Sequence, residues 1–114
     1  MMLDLMQIAE AGQEPDAGEM RLHAREASAL LKVLANEDRL MLLCQLTTGS
    51  YHVGELEAAL GIRQPTLSQQ LGVLRNEGIV KTERRGKFIF YSLWDDKATR
   101  VMRTLWEIYC SPET

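Results

Sequence analysis

The chain has 114 residues, of which 46% are apolar and 25% are charged, and this composition is typical of one small globular domain. It has no run of about 18 apolar residues, and its N-terminus carries acids where a secretory signal carries Lys or Arg, so we expect a cytoplasmic protein that does not enter the membrane. Cysteines in such a protein are expected to be free thiols. The net charge of −3 argues, taken alone, against a nucleic-acid partner, because DNA binding depends on cations.

The charge is unevenly distributed along the chain. Residues 1–26 contain six acids and two bases, whereas residues 61–91 contain six bases and two acids. The two segments therefore carry net charges of −4 and +4. The positive segment predicts a binding surface for an anionic partner in about one quarter of the sequence.

The N-terminal part of the chain predicts a flexible arm and two helices. Residues 1–18 are expected to form the arm, because Gly, Pro and acids interrupt any periodicity there. A first helix is predicted from Glu19, where apolar residues recur at spacings of four and three. Its stripe contains Met20, Ala24, Ala27, Leu31 and Leu34. Asn36 is predicted to cap a second helix that Gly49 ends. The inner face expected for this helix contains Leu40, Leu43, Cys44 and Thr47.

Two further helices follow in the middle of the chain. The first is predicted over residues 53–60 and ends at Gly61, a residue suited to the left-handed position after a helix. Its expected buried residues are Leu56, Ala59 and Leu60. The second is predicted over residues 65–77, because Pro65 suits a first helical position. Its core stripe is Leu67, Leu71 and Leu74.

The hydrophobic period then changes from that of a helix to that of a strand. Residues 79–84 and 87–93 are β-branched and aromatic runs, joined at Arg85-Gly86, and they predict a hairpin with a cationic tip. Asp95 or Asp96 is expected to cap a final helix. Its wide apolar face contains Ala98, Val101, Met102, Leu105, Ile108 and Tyr109. Such a face is wider than one small domain needs and would be exposed in a monomer, unless both of its stripes pack internally.

This element order predicts a mainly helical winged helix-turn-helix domain over residues 19–110, with residues 111–114 as a tail. The outward face of the helix at 65–77 is rich in amides and hydroxyls, which suit base and phosphate contacts in a DNA major groove. The candidate DNA-binding residues on this helix and the hairpin are Gln64, Thr66, Ser68, Gln69, Gln70, Arg75, Arg84, Arg85 and Lys87.

Other interpretations of these residues stay open. The polar helix face can be an ordinary solvated surface, and the domain can be a dimerising interaction module without a DNA role. A small dithiol oxidoreductase is disfavoured, since the chain has neither a Cys-x-x-Cys motif nor a βαβ pattern. We therefore expect no enzymatic activity and no cofactor.

Three stretches resemble the ArsR/SmtB family of bacterial winged-helix repressors. They are LLKVLANEDRL at 30–40, QPTLSQQLGVLRNEGIV at 64–80 and RRGKFIFY at 84–91. The resemblance covers about residues 19–110 and implies a homodimer joined through its first and last helices. It also implies binding to double-stranded operator DNA with an inverted repeat, from which an inducer releases the repressor.

The metal sites typical of that family are missing from this sequence. The chain has no Cys-x-Cys, the last helix has no histidine, and His23 and His52 have no ligand spacing to each other or to the thiols. We expect His52 to be a helix cap with Glu55 and His23 to be a surface or interface residue. No metal site is therefore predicted. The alternative is a repressor that responds to a metal ion or that has no inducer site.

Within the family the chain is most similar to the BigR-type repressors around both cysteines. That likeness implies that Cys44 and Cys110 are sensor thiols, which reactive sulfur species such as persulfides and polysulfides, or an oxidant, would crosslink to release DNA. Without the likeness, two unrelated packing or surface thiols are the simpler interpretation. A direct disulfide needs α-carbons within about 7 Å, whereas inserted sulfur lengthens the span.

Overall fold

A computed structural model describes residues 16–110, and the described part contains five helices and three short strands. The elements in chain order are α1 (Ala17–Leu34), α2 (Glu37–Leu46), β1 (Tyr51–His52), α3 (Val53–Leu60), α4 (Thr66–Asn76), β2 (Val80–Arg85), β3 (Phe88–Leu93) and α5 (Asp96–Tyr109). Residues 1–15 of the arm predicted over residues 1–18, and the tail predicted at 111–114, lie outside the described residues. The chain divides after Leu31 into two compact units, and residues from Lys32 onward form the folded core.

Helix α1 begins two residues before the predicted start. Asp16 caps it, since its Oδ1 accepts a hydrogen bond from the Glu19 amide at 2.7 Å, and Ala17 and Gly18 are helical. Of the predicted stripe only Leu34 is buried, together with Val33. The other members are exposed in the single chain and are Met20, Ala24, Ala27 and Leu31.

Helix α2 has the predicted cap but a different buried face. The Asn36 side chain accepts from the Arg39 amide at 2.9 Å, as expected for an N-cap. The residues buried on α2 are Leu42, Leu43 and Leu46, whereas Leu40 and Cys44 are half-buried and Thr47 is exposed. The predicted face was right at Leu43 and wrong at the other positions, because α2 packs against α3, α4, α5 and β3 together, which buries a different and broader arc than one stripe. The helix ends at Leu46, before Gly49.

Helix α3 occupies the predicted range, residues 53–60. His52 and Glu55 form a capping box, in which Nδ1 of His52 accepts from the Gly54 amide at 3.1 Å and Glu55 accepts from the His52 amide at 3.0 Å. The cap role predicted for His52 is confirmed. Gly61 ends the helix at φ 70°, the left-handed conformation that was predicted. Only Leu56 is fully buried; Ala59 faces solvent, because this two-turn helix buries a single narrow stripe.

Helix α4 is fixed on the core by the predicted leucines. Leu67, Leu71 and Leu74 are all buried, and the helix packs against α2, α3 and β2. Its C-terminus is a Schellman motif, in which the Ile79 amide donates to the Leu74 carbonyl and the Gly78 amide to the Arg75 carbonyl. Gly78 takes the left-handed conformation at φ 74° that this motif requires.

The hairpin belongs to a three-stranded antiparallel sheet in the order β1-β3-β2. Its turn is at residues 86–87, one residue later than predicted, because Arg85 pairs with Phe88 in the ladder. The two-residue strand β1, which pairs Tyr51 with Tyr91 and His52 with Phe90, was not predicted. Such a short segment carries no alternating pattern that a sequence can reveal.

Helix α5 is capped by Asp95, whose carboxylate accepts from the Lys97 amide. Its predicted apolar face is only partly buried: Ala98 and Met102 are buried, whereas Ile108 and Tyr109 are 65% and 79% exposed. The C-terminal half of α5 therefore presents apolar side chains that are exposed within the described residues, 16–110. Among residues 16–110, no helix has the length and apolar character needed to cross a bilayer.

The capping box yields a test of stability. Replacing Glu55 with Ala removes one of its two hydrogen bonds, and we expect the free energy of unfolding to fall by about 1 kcal/mol. Glu57→Ala on the same helix is the matched control, because the Glu57 side chain has no capping bond. Urea denaturation followed by circular dichroism measures both; equal losses in the two variants would contradict the role of the box.

Candidate nucleic-acid interface

The outward side of α4 carries uncharged hydrogen-bonding groups. Ser68 and Gln69 are exposed and Thr66 is half-buried, while Leu67 and Leu71 anchor the opposite side. Because buried leucines at this spacing fix the rotation of the helix, the polar side chains must project away from the core. This geometry suits insertion into a groove that offers donors and acceptors.

Gln64 lies at the start of α4 and caps it from outside the helix. Its Oε1 accepts hydrogen bonds from the Ser68 amide, at 3.2 Å, and from the Ser68 hydroxyl. Pro65, which precedes Thr66, provides no side-chain cap, so Gln64 satisfies a helix amide that would otherwise lack a partner. Gln64 and Ser68 are thus bonded to each other in the free protein.

Gln70 differs from its polar neighbours on α4. It is half-buried, and its Oε1 accepts from Nη1 of Arg39 on α2 at 2.8 Å. The candidate residue therefore lies on the flank of α4 that faces α2 rather than at the centre of the outward side. The bond to Arg39 occupies one of the two acceptor positions of this oxygen and directs the amide towards α2, away from the position that paired bonds to adenine would require.

The predicted cations of the hairpin are exposed and partly engaged within the chain. Nε of Arg84 donates to the Gly86 carbonyl at 3.1 Å. Arg85 donates twice to one oxygen of Glu83, at 2.8 and 3.0 Å, and stacks over Phe90. Lys87 lies 5.5 Å from the Phe88 ring centroid. Glu83 thus neutralises part of the charge that the sequence assigns to this tip.

The hairpin has an aromatic support on one face. The His52 ring stacks on Phe88 with centroids 4.5 Å apart and meets Phe90 edge-on at 5.4 Å. Residues 52, 88 and 90 share this face because His52 pairs with Phe90 across the ladder. The contact links the start of α3 to the hairpin and holds the cationic tip beside the helices.

Arg75 is exposed in the last turn of α4, where no ion pair engages it among the described residues. The hairpin is anchored to the same end of α4, because Val80 and Ile79 are buried and β2 packs against α4. Arg75 and the hairpin cations therefore extend the polar side of α4 with positive charge. This is the distribution that a DNA phosphate backbone requires.

The two thiols lie in different surroundings. Cys44 is half-buried on α2, and Cys110 is exposed directly after α5; both are free. The Cys110 amide donates to the Trp106 carbonyl at 2.8 Å, which continues the helical turn. Within the described part of the chain, no three His, Cys, Asp or Glu side chains are grouped as metal ligands.

Sequence patterns did not reveal the contacts made by Arg39 and Glu83. Arg39 follows the Asn36 cap in the first turn of α2, and no sequence pattern assigns it a partner. Periodicity identifies which side chains are buried, and it carries no information about which polar groups meet across helices. The Glu83 contact had a weak signal, since residues at positions 83 and 85 share one face of a strand.

Comparisons with known proteins agree with this architecture. The model for "Bacterial regulatory protein, arsR family" matches residues 36–82. A biofilm growth-associated repressor of Agrobacterium fabrum is 58% identical over 94 residues, which are 82% of this chain and 80% of that protein. The family model and this relative are both described as transcriptional regulators, which agrees with the expectation of a regulatory protein rather than an enzyme.

Two solved structures are similar over nearly the same region. The transcriptional repressor BigR from Xylella fastidiosa has a TM-score of 0.77 at 50% identity, over 85% of this chain and 96% of that one. Reduced HlyU from Vibrio cholerae has a TM-score of 0.78 at 38% identity, over 82% and 98%. The winged-helix fold predicted from the sequence is confirmed, and the chain belongs to the arsR family of bacterial regulatory proteins.

Proposed function

We propose that the protein is a cytoplasmic transcriptional repressor that binds double-stranded operator DNA as a homodimer. The observation that carries the proposal is the polar outward side of α4, held by buried leucines beside an exposed cationic hairpin. The repressor names of the Agrobacterium and Xylella relatives support the direction of regulation.

In this proposal α4 enters the major groove and the hairpin contacts the backbone. Gln69 and Thr66 meet base edges, while Gln64 and Ser68 exchange their mutual bond for contacts to DNA. Arg75, Arg84, Arg85 and Lys87 neutralise phosphates. Each such contact releases condensed counterions, so operator affinity should fall steeply as salt rises.

Glu83 provides a test of the hairpin. Glu83→Gln removes the carboxylate that engages Arg85, and we expect tighter operator binding with a log-log salt slope steeper by up to about 0.9, the value for one added phosphate contact. The measurement is a fluorescence-anisotropy titration of labelled upstream DNA at several salt concentrations.

Glu107→Gln is the matched control, because it removes the same charge from an exposed position on α5. We expect it to leave the salt slope unchanged. Weaker binding by Glu83→Gln, or an equal gain in both variants, would contradict a phosphate contact by Arg85.

The homodimer rests on the uncovered apolar residues of two helices. Trp106, Ile108 and Tyr109 are exposed on α5, and Met20 and Leu22 are exposed on α1. Burying such residues against a second copy removes them from water. A two-fold dimer also matches an inverted repeat, whose half-sites are about 34 Å apart.

A charge among the exposed apolar residues of α5 is expected to separate the subunits. Ile108→Glu should give a monomer at micromolar concentration, whereas the same substitution at Ile89, an exposed isoleucine on the hairpin, should leave the dimer intact. Light scattering coupled to size-exclusion chromatography measures the mass of each. A dimeric Ile108→Glu protein would contradict an interface at the end of α5.

The finer proposal is release of DNA when Cys44 and Cys110 become crosslinked. One thiolate attacks a polysulfide, takes up one sulfur as a persulfide and releases a shorter polysulfide; the other thiol reacts in the same way. The outer sulfur of one persulfide then attacks the protein-bound sulfur of the other persulfide. The outer sulfur of the attacked persulfide leaves as hydrosulfide, and a trisulfide bridge remains. The packing of α2 against α5 and the exposure of Cys110 support this assignment.

Intact mass spectrometry after treatment tests the thiol pair. With polysulfide we expect a gain of one sulfur and a loss of two hydrogens, accompanied by release of operator DNA, and with peroxide little crosslinking. Cys44→Ser and Cys110→Ser should each bind the operator and stay bound after treatment. Release of the Cys44→Ser protein by polysulfide would contradict the pair, and release by Zn²⁺ would favour the metal-gated alternative.

A further inference from the structure

Arg39 connects three helices through hydrogen bonds from one guanidinium. It lies on α2, where Nε donates to the Val33 carbonyl and Nη2 to the Lys32 carbonyl, at 3.4 Å, both in the last turn of α1. Nη1 donates to Oε1 of Gln70 on α4 at 2.8 Å. One side chain thus joins the end of α1 to the helix assigned to DNA.

The chemistry of these bonds favours a specific structural role. Every acceptor of Arg39 is a neutral oxygen, and among residues 16–110 no carboxylate lies within ion-pair distance of it. The two carbonyls carry the negative end of the α1 dipole, which attracts a cation. Arginine has no acceptor, so the Gln70 amide must present its oxygen, and the planar fork fixes the direction of each bond.

We propose that Arg39 is a positioning residue for DNA recognition, which sets the placement of α4 through Gln70. This inference rests on the proposed DNA-binding function and concerns how selectively the operator is recognised. Leu67, Leu71 and Leu74 hold α4 on the core by apolar contact, which is not directional. The bond between Arg39 and Gln70 adds a directional restraint on the flank of the helix, next to the outward side that carries Thr66 and Gln69.

Such a restraint affects base recognition more than phosphate binding. Contacts to base edges need atoms placed within hydrogen-bonding distance, whereas attraction between cations and phosphates tolerates small displacements. Loss of the restraint should therefore weaken operator binding while leaving binding to unrelated DNA nearly unchanged.

The test compares Arg39→Met and Arg39→Lys with the unaltered protein. We expect each variant to weaken operator binding about ten-fold, to change the affinity for a scrambled duplex less than about two-fold, and to keep the salt slope of the unaltered protein. Arg39→Lys retains the charge but cannot direct three bonds in one plane. Arg75→Met, which removes a proposed phosphate contact, should instead reduce the salt slope and weaken both duplexes.

Gln70 variants keep the proposal testable if the Arg39 variants are unstable. Gln70→Glu retains an acceptor for Arg39, whereas Gln70→Met retains the shape and loses the acceptor. A positioning role predicts that Gln70→Glu keeps more operator selectivity than Gln70→Met. A direct contact between Gln70 and DNA predicts the opposite order, because a carboxylate at the groove repels phosphates, and that order would overturn the proposal.

The remaining outcomes separate this inference from the proposed function. Failure of the unaltered protein to bind its upstream DNA overturns both. If the unaltered protein binds its operator and Arg39→Lys keeps the same operator selectivity, the positive charge of Arg39 is sufficient. That result overturns the positioning role and leaves the proposed function standing. Circular dichroism melting curves for each variant establish that the folded protein is being compared.

Discussion

The burial of three leucines on α4 is the constraint on which the rest of the molecule depends. Leu67, Leu71 and Leu74 follow one another at spacings of four and three residues along the helix and are all removed from solvent. Burying a leucine side chain contributes about 1.5–3 kcal/mol, so rotating α4 to bury its amides instead would cost several kcal/mol and leave polar groups unsatisfied. The same packing that stabilises the domain therefore determines which side chains face a partner.

Several polar side chains of the candidate interface already form hydrogen bonds within the free protein. Gln64 and Ser68 bond to each other, Gln70 bonds to Arg39, and Arg85 bonds to Glu83. An exposed ion pair contributes at most about 1 kcal/mol, so DNA phosphates can compete for Arg85 at little cost. The bond between Arg39 and Gln70 is less exposed and is the harder of these to exchange.

The sequence was sufficient for the elements whose identity depends on apolar spacing or on a special terminal residue. The stripe of α4, the Asn36 cap, the left-handed Gly61 and the hairpin all follow from local chemistry. The inner face of α2 was misjudged, because α2 contacts four elements and its buried arc depends on the tertiary arrangement. The same limit applies to Gln70, whose residue type suits DNA and whose environment is decided by a helix 31 positions earlier in the chain.

Helix α2 carries a residue from each of the two proposals, the sensor thiol Cys44 and the positioning residue Arg39. It carries Arg39 near its first turn and Cys44 further along, and it packs against both α4 and α5. A bridge from Cys44 to Cys110 would tie α2 to the end of α5, and any resulting shift of α2 would move the guanidinium that holds Gln70. Because close-packed interiors transmit displacement instead of absorbing it, thiol chemistry on α2 can reach α4 without a contact between the thiols and DNA. In this proposal the leucine packing keeps α4 on the core, and the bond between Arg39 and Gln70 sets the direction of the helix.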